Sequence, residues 1–451
     1  LVLTPSVTSV RQAPKSNFQK TFRLLIPCRF SVKRSMPTRE SLILVGSSVR
    51  AAAQSAVRAG FDPWCIDQFG DRDLTEIAAD TLTISDWPHG IESVFQKTPS
   101  ADWIYTGAVE NAAELVARLS ESRRLLGCGP DALKRLRDPH WLAQTLTRAS
   151  LPTLPVAVPT ADCVELSENP AATGPLFPDD WMLKPRASAA GIGVRQFNES
   201  DFERRNSEDY FLQQKAIGRS ISGLYLGFEG SAQLLGMCEQ LCRGADVGAG
   251  QYVYAGSLGP LSVSDVPNRV FDQAQQIGSA IVDGVRNERA QMSGLFGIDF
   301  ILDEDCRDLW TLEVNPRYTA SAELYERAFG WPLMKWHVDA CRGSFFETES
   351  SLSDSRCKHR FRKHGKLIVY ARQEFIAPDF LPLTARLQSL VSDHLSAADI
   401  PQLGTLIQKD EPVCTLFGNH ESLEGCHELL MSSEAAIQNL IESKHPAAWF
   451  K

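Results

Sequence analysis

The sequence predicts an α/β protein, α+β in part, and three stretches carry that prediction. Ser-Leu-Ile-Leu-Val-Gly at 41–46, an alanine-rich segment ending at Gly60, and Trp-Cys-Ile-Asp at 64–67 alternate strand, helix and strand. That order makes a right-handed βαβ unit. Gly-Ile-Asp-Phe-Ile-Leu-Asp at 297–303 and Trp-Thr-Leu-Glu-Val-Asn-Pro-Arg at 310–317 flank a short acidic turn, the pattern of an antiparallel hairpin. From Lys366 onward, short apolar runs are separated by Pro and Gly turns, the mark of small β units.

A chain of 451 residues is long enough for two or three domains. An apolar fraction of 43% with 22% charged residues describes an ordinary globular protein, and a net charge of -9 argues against general nucleic-acid binding. No apolar run approaches the roughly 18 residues that span a bilayer. The reading is a soluble cytoplasmic protein with neither a nucleic-acid nor a membrane partner. The 11 cysteines include no CxxC pair, and the closest two, Cys238 and Cys242, have no second pair to complete a zinc site. Buried thiols in a reducing compartment fit this usage. Residues 1–37 read as a leader: a transit peptide, an unstructured tail, or sequence upstream of a start at Met36.

Along the chain, the Gly46 turn lacks a full GxGxxG, so it gives dinucleotide binding little support. Residues 103–107 form another strand, with Glu110 just past its end, where either a ligand or the helix dipole accounts for an acid. Residues 133–151 read as one helix, broken by Pro152 and Pro155. A strand at 180–185 ends in Lys184 and runs into a small-residue loop with Gly191 and Gly193, a combination suited to phosphate. Gln213 and Gln214 lie in a strand at 211–218. Residues 221–228 and 232–238 pair around Glu229-Gly230, and the Gly-rich loop beyond them carries Arg243, a candidate for a substrate carboxylate or simply a solvated cation. An amphipathic helix at 271–289 leads into the hairpin. A helix follows Tyr318 and stops near Gly330, 344–363 is a linker, and a helix at 423–443 ends the chain.

Alternation along the strands puts Glu313 and Asn315 on one face. A register that sets Asp299 opposite them gathers two carboxylates and an amide oxygen. Hard oxygens in that number suit Mg²⁺, or Mn²⁺, which binds through one or two carboxylates plus nucleotide phosphates. Arg317 then lies where a guanidinium neutralises a transferring phosphoryl group. An ordinary solvated hairpin face gives the same alternation, and the spacing leaves both readings open.

The two hairpin motifs resemble the metal-binding signature of the ATP-grasp ligases, the group containing biotin carboxylase, D-alanine ligases and the purine-synthesis carboxylases. The resemblance implies an ATP-grasp fold with a Rossmann-like pre-ATP-grasp domain at 38–138, the ATP-grasp domain at 139–343, the linker, and a small β-rich domain at 364–451. It implies Mg²⁺ on Asp299, Glu313 and Asn315, catalytic roles for Arg317 and Lys184, and ATP held by Lys184, Gly191, Gly193, Gln214 and Arg137. Two positions depart from the family. Pro139 stands where a lysine of the first helix binds phosphate, leaving Arg137, with Lys134 behind it, as the substitute. Gln214 stands where a glutamate is common. The resemblance implies small-molecule carboxylate and amine substrates joined by way of an acylphosphate, and a homodimer. The Glu-Val-Asn-Pro-Arg-Tyr-Thr-Ala-Ser ending resembles that of ligases tied to methanopterin or methanofuran cofactors, one of which joins glutamate to tyramine. A carboxylase and an ATP-binding module without turnover are the other functions this resemblance leaves open.

Overall fold

Among the described residues of this computed structural model, the strands form three larger sheets and one two-stranded sheet. The structure describes residues 39–159, 164–166, 180–198, 209–243, 250–286, 291–344, 362–380 and 395–442. The stretch Arg39–Lys451 is one compact unit. The leader at 1–37 and most of the 344–363 linker lie outside the described residues.

The first sheet is parallel, in the order β3-β2-β1-β4, from β1 (Glu40–Val45), β2 (Phe61–Asp67), β3 (Asp80–Thr83) and β4 (Trp103–Tyr105). The inner strand β1 and its neighbour β4 are buried apolar runs, while the edge strand β3 is mostly polar and partly exposed; α1 (Arg50–Arg58), α2 (Arg72–Thr75) and α3 (Ile91–Phe95) make the connections, and α4 (Ala113–Ser122) follows β4. This is the expected βαβ unit. The Gly46 turn is not free for phosphate, since the amide of Val49 at the start of α1 donates to Asp67 Oδ2 at 2.8 Å. A carboxylate of the chain itself occupies the place of an anion.

The helix expected at 133–151 is two helices, α5 (Pro130–Leu136) and α6 (Pro139–Arg148). Pro139 lacks the N–H that a continuous helix needs, so it begins a new one, and Asp138 caps that helix by accepting from the His140 amide at 3.0 Å. The break leaves Arg137 at the corner.

The second sheet is antiparallel, in the order β6-β5-β9-β7-β8, from β5 (Val156–Pro159), β6 (Val164–Leu166), β7 (Trp181–Pro185), β8 (Arg195–Gln196) and β9 (Tyr210–Gln214). The third has eight antiparallel strands in the order β14-β13-β10-β11-β12-β15-β19-β17. They are β10 (Arg219–Phe228), β11 (Ser231–Cys242), β12 (Tyr254–Gly259), β13 (Gly294–Leu302), β14 (Leu309–Asn315), β15 (Lys363–Tyr370), β17 (Leu395–Ala398) and β19 (Pro412–His420). The short strands β16 (Phe375–Ile376) and β18 (Leu406–Ile407) pair beside it. The C-terminal strands thus extend the sheet that bears the hairpin, through β12 pairing with β15 from Gly256↔Leu367 to Gly259↔His364.

Helix α7 (Asn268–Val285) buries Val270, Ala274, Ile277, Ile281 and Val285, a three-four spacing that lays one apolar stripe on β10 and β11. Gly278 is required there, because a Cβ at that position would stand 2.5 Å from the Tyr225 ring. Tyr225 in turn stacks on Phe296 and donates to the Ala274 carbonyl. Helices α8 (Ala322–Phe329) and α9 (Leu333–Arg342) cover the opposite side and pack against α1. Gly330 ends α8 in the left-handed conformation, as the sequence indicates. Helix α10 (Leu423–Glu442) packs on β15 and β19.

A buried charge network ties these parts together. The Arg50 guanidinium reaches both carboxylate oxygens of Glu323 and both of Asp399, and Lys366 donates to Glu323 at 3.1 Å. Burial opposes the charge on Glu323, but Arg50 and Lys366 outweigh it and hold that carboxyl far below the usual range. No helix among the described residues is long and apolar enough to cross a membrane.

Candidate active site

Asp299 on β13 pairs directly with Glu313 on β14, and Gly297 with Asn315, the register that the sequence reading required. The ladder slips immediately beyond, since Phe300 pairs with Thr311 and Leu312 has no opposite number. A one-residue bulge of this kind re-aims its neighbours. The freed Leu312 carbonyl accepts from Gln213 Nε2 on β9 at 3.3 Å, and Gln213 Oε1 accepts from Lys184 Nζ on β7 at 2.8 Å. One buried amide therefore joins the Lys184 strand to the acidic hairpin. Gln214, the next residue, alternates to the opposite face and is exposed.

Around the carboxylates, Asp299 accepts from Gln240 Nε2 and from Asn315 Nδ2, each at 2.8 Å. Asn315 Oδ1 accepts from Arg317 Nη2 at 3.2 Å, and Arg317 Nε donates to Glu110 Oε1 at 2.6 Å. The Asn315 amide thus turns its N–H group toward Asp299. To offer Oδ1 to a cation there, it must rotate by half a turn. Arg137, aimed by the break between α5 and α6, lies 3.5 Å from Glu313 Oε2. Lys134 points away to Glu114 at the surface.

The electrostatics favour a cation between the carboxylates. Burial and the facing Glu313 push Asp299 up to about 6. Burial also opposes ionisation of Glu313, but Arg137, Lys184 and Arg317 prevail and hold it below the ordinary range. Burial pulls Lys184 below its usual value, against the attraction of Glu313 and Asp299. Two hard carboxylates set against each other, one resisting ionisation, fit a divalent ion that takes its remaining oxygens from phosphates and water. Among the described residues no three His, Cys, Asp or Glu side chains form a metal-binding group, so protein carboxylates alone do not complete such a site.

Gly191 and Gly193 lie in the loop after Lys184, at φ +75° and +78°. The loop is docked: the Tyr254 amide donates to the Ala190 carbonyl at 3.0 Å, while Asn111 Nδ2 and Arg137 Nη2 both donate to the Ser188 carbonyl at 3.1 Å. Arg243 forms an ion pair with Asp410 at 2.7 Å and lies over the Tyr370 ring. The Gly-rich stretch at 244–249 lies outside the described residues. Ser321 makes no capping bond for α8, and its hydroxyl instead meets that of Thr319 at 3.0 Å.

Sequence reasoning left out Gln213 and Gln240 and gave Glu110 no partner. Phase along β9 distinguishes Gln213 from Gln214, and the buried strand partner of β7 was the available signal. Nothing local marks the contact between Glu110 and Arg317, which are 207 residues apart in sequence.

Residues 144–321 match the sequence model of the ATP-grasp domain. No curated protein matches the chain. Among solved structures, the chain is similar to N5-carboxyaminoimidazole synthase from Aspergillus clavatus, in complex with ADP and 5-aminoimidazole ribonucleotide, at TM-score 0.63 and 12% identity over 88% of this chain and 99% of that one. It is similar to the L-amino acid ligase of Bacillus licheniformis at TM-score 0.62 and 14% identity, covering 88% and 98%. The biotin carboxylase of Campylobacter jejuni aligns at TM-score 0.63 and 14% identity, covering 90% and 96%. Over most of its length the chain shares the fold of these solved structures, and residues 144–321 match the ATP-grasp domain.

Proposed function

We propose that this protein is an ATP- and Mg²⁺-dependent ligase that joins a small-molecule carboxylate to an amine. The observation that carries the reading is the convergence of three cations, Arg137, Lys184 and Arg317, on the facing carboxylates Asp299 and Glu313. Attractive charges around a carboxylate pair form a site for a polyphosphate with its metal, and phosphoryl transfer needs chiefly positioning and charge neutralisation.

In the first step a substrate carboxylate oxygen forms a bond to the γ-phosphorus of ATP, and the bond to the bridging oxygen breaks with its electrons going to ADP. In the second, the amine lone pair forms the C–N bond to the acyl carbon. The acyl C–O bond breaks, phosphate leaves with that pair, and the nitrogen loses its extra proton to phosphate or solvent. Lys184 and Arg137 would hold phosphates. Arg317, fixed by Glu110 and Asn315, would neutralise charge at the reacting carboxylate, and the docked Gly191 loop would exclude water. Asp299 and Glu313, with Asn315 after its amide turns, would hold Mg²⁺ or Mn²⁺, which supplies Lewis-acid neutralisation of phosphate charge.

The amino-acid-type acceptor, and a methanopterin or methanofuran setting for it, rest on the motif ending after Glu313. The pre-ATP-grasp, ATP-grasp and C-terminal divisions at 38–138, 139–343 and 364–451, a cytoplasmic location and a homodimer complete the reading on family habit. A bicarbonate-activating carboxylase is the second reading, supported by the likeness to a biotin carboxylase over 90% of the chain.

The experiment is Mg-ATP turnover by the purified protein across amino acids, amines and bicarbonate, with mass analysis of products, in wild type and Glu313→Gln. Acceptor-stimulated ADP release with a condensed amide, lost in the folded variant, supports the ligase. A carboxylated product moves the assignment to the second reading, and ATP binding without any stimulated turnover overturns both.

A further inference from the structure

The two oxygens of Asp299 are held from opposite sides of β13. On the β14 side Oδ2 accepts from Asn315 Nδ2, and on the β10 side Oδ1 accepts from Gln240 Nε2, each at 2.8 Å. Gln240 reaches over from β11, one strand beyond β10, where Ser222 is the ladder partner of Asp299 and also hydrogen-bonds to its carboxylate. The far end of the Gln240 amide is fixed as well, since Oε1 accepts from Ser220 Oγ at 3.0 Å. Asp299, Gln240 and Ser220 are all partly exposed, so the group faces solvent. The two amides differ in what a half-turn would do. Asp299 pairs in register with Glu313, so a cation shared by the two carboxylates lies on the β14 side and offsets a turn of Asn315. A turn of Gln240, on the far side, would break its bond with Ser220 and set an amide oxygen against an anion with nothing to offset it.

We propose that Gln240 is a positioning residue that determines metal specificity: by keeping Oδ1 engaged it lets Asp299 serve a cation through Oδ2 alone, and the site thereby selects Mg²⁺ over Ca²⁺. This deepens the metal assignment made under the ligase reading and rests on it. Mg²⁺ takes about six oxygens in a strict octahedron, an arrangement that one oxygen from each carboxylate suits. Ca²⁺ takes roughly six to eight at longer distances, and it gains from a carboxylate that offers both. An amide N–H on Oδ1 withdraws that second oxygen. Because the amide is neutral, it acts on the number of ligands and leaves the charge of the site as it is. Groups that orient a ligating carboxylate change metal affinity by about 10–100-fold. Discrimination between the ions thus comes from β11, two strands away from the hairpin that carries the ligands.

The test is Gln240→Met, which keeps the length of the side chain and removes its N–H group, with Gln240→Leu as a second variant should the first fail to fold. ADP affinity is measured by calorimetry on the full chain at saturating Mg²⁺, at saturating Ca²⁺ and with a chelator. Wild type should bind ADP about tenfold or more tightly with Mg²⁺ than with Ca²⁺, and the variant should cut that ratio by about tenfold or more. A ratio unchanged in the folded variant overturns the proposal, since a side chain that serves only the sheet would weaken both complexes alike. A wild type that does not discriminate between the ions overturns it too. If ADP binds wild type equally well with Mg²⁺ and with chelator, the metal assignment falls and takes the proposal with it. The ligase reading is judged separately: should no acceptor support turnover, the two ADP ratios still decide the role of Gln240.

Discussion

Arg137 Nη1 stands 3.5 Å from Glu313 Oε2 because a proline two residues later starts a new helix and leaves the arginine at the corner. Lys134, one turn earlier, spends its ammonium on exposed Glu114. Arg137→Ala is expected to raise the KM for ATP by about tenfold or more, the scale of one lost charge-assisted contact. Lys134→Ala should leave it within about twofold, as surface pairs contribute little. Steady-state kinetics on the two variants decides which cation replaces the missing lysine.

Gln213 and Gln214 differ only in phase along β9. The first bridges Lys184 to the Leu312 carbonyl, and the second is exposed. Gln213→Ala should weaken ATP binding by about five- to twentyfold by freeing the ammonium and orphaning a carbonyl. Gln214→Ala is expected to be near neutral. Nucleotide titration by fluorescence or calorimetry separates the two, and a large loss in Gln214→Ala with none in Gln213→Ala would reverse the roles.

The glycine loop offers a steric test. A Cβ at Gly191 would lie 2.1 Å from the Tyr252 carbonyl oxygen, in a backbone conformation that already disfavours side chains. Gly191→Ala should prevent the docked loop from forming and cut ATP turnover by at least about tenfold, with a urea midpoint close to wild type because the loop adds little to the core. Full turnover in this variant would show that docking is not needed for reaction.

His337 makes stability depend on pH. Its ring is buried, with Nδ1 accepting from the Leu295 amide at 2.8 Å and Nε2 meeting the Leu126 carbonyl at 3.0 Å. Burial pulls its pKa down to about 4, against the hold of Leu126 on the charged form. The unfolded chain therefore binds this proton more readily than the folded one. The stabilising effect is complete above about pH 6.5 and is lost as pH falls toward about 4, amounting to about 3 kcal/mol. Urea unfolding from pH 7 to pH 4 should show that slope, and His337→Asn should flatten it while lowering stability overall.

The hairpin and its register were legible because strand alternation and the short acidic turn are local signals. So were the βαβ unit and the α7 stripe. The Leu312 bulge was not, since it depends on which residue of β14 the partner strand skips. The split at Pro139 was missed because periodicity on both sides of the proline stays helical, while the Asp138 cap that marks the boundary was read as part of a longer helix. Glu110 could be placed at a strand end, but a partner so far along the chain leaves no trace in local pattern.

The pairing of β12 with β15 has a bearing on how this protein is made and dissected. Residues 294–315, which bring the two carboxylates face to face, emerge from the ribosome well before 363–370, yet until those arrive the β12 side of their sheet ends in a row of unpaired amides and carbonyls. A fragment ending at 343 would keep every residue assigned to ATP and metal and still leave Arg50 and Glu323 without Asp399 and Lys366. Such a fragment should aggregate or need a partner strand. The last ninety residues act less as an appended module than as the closing edge of the sheet that bears the acidic hairpin.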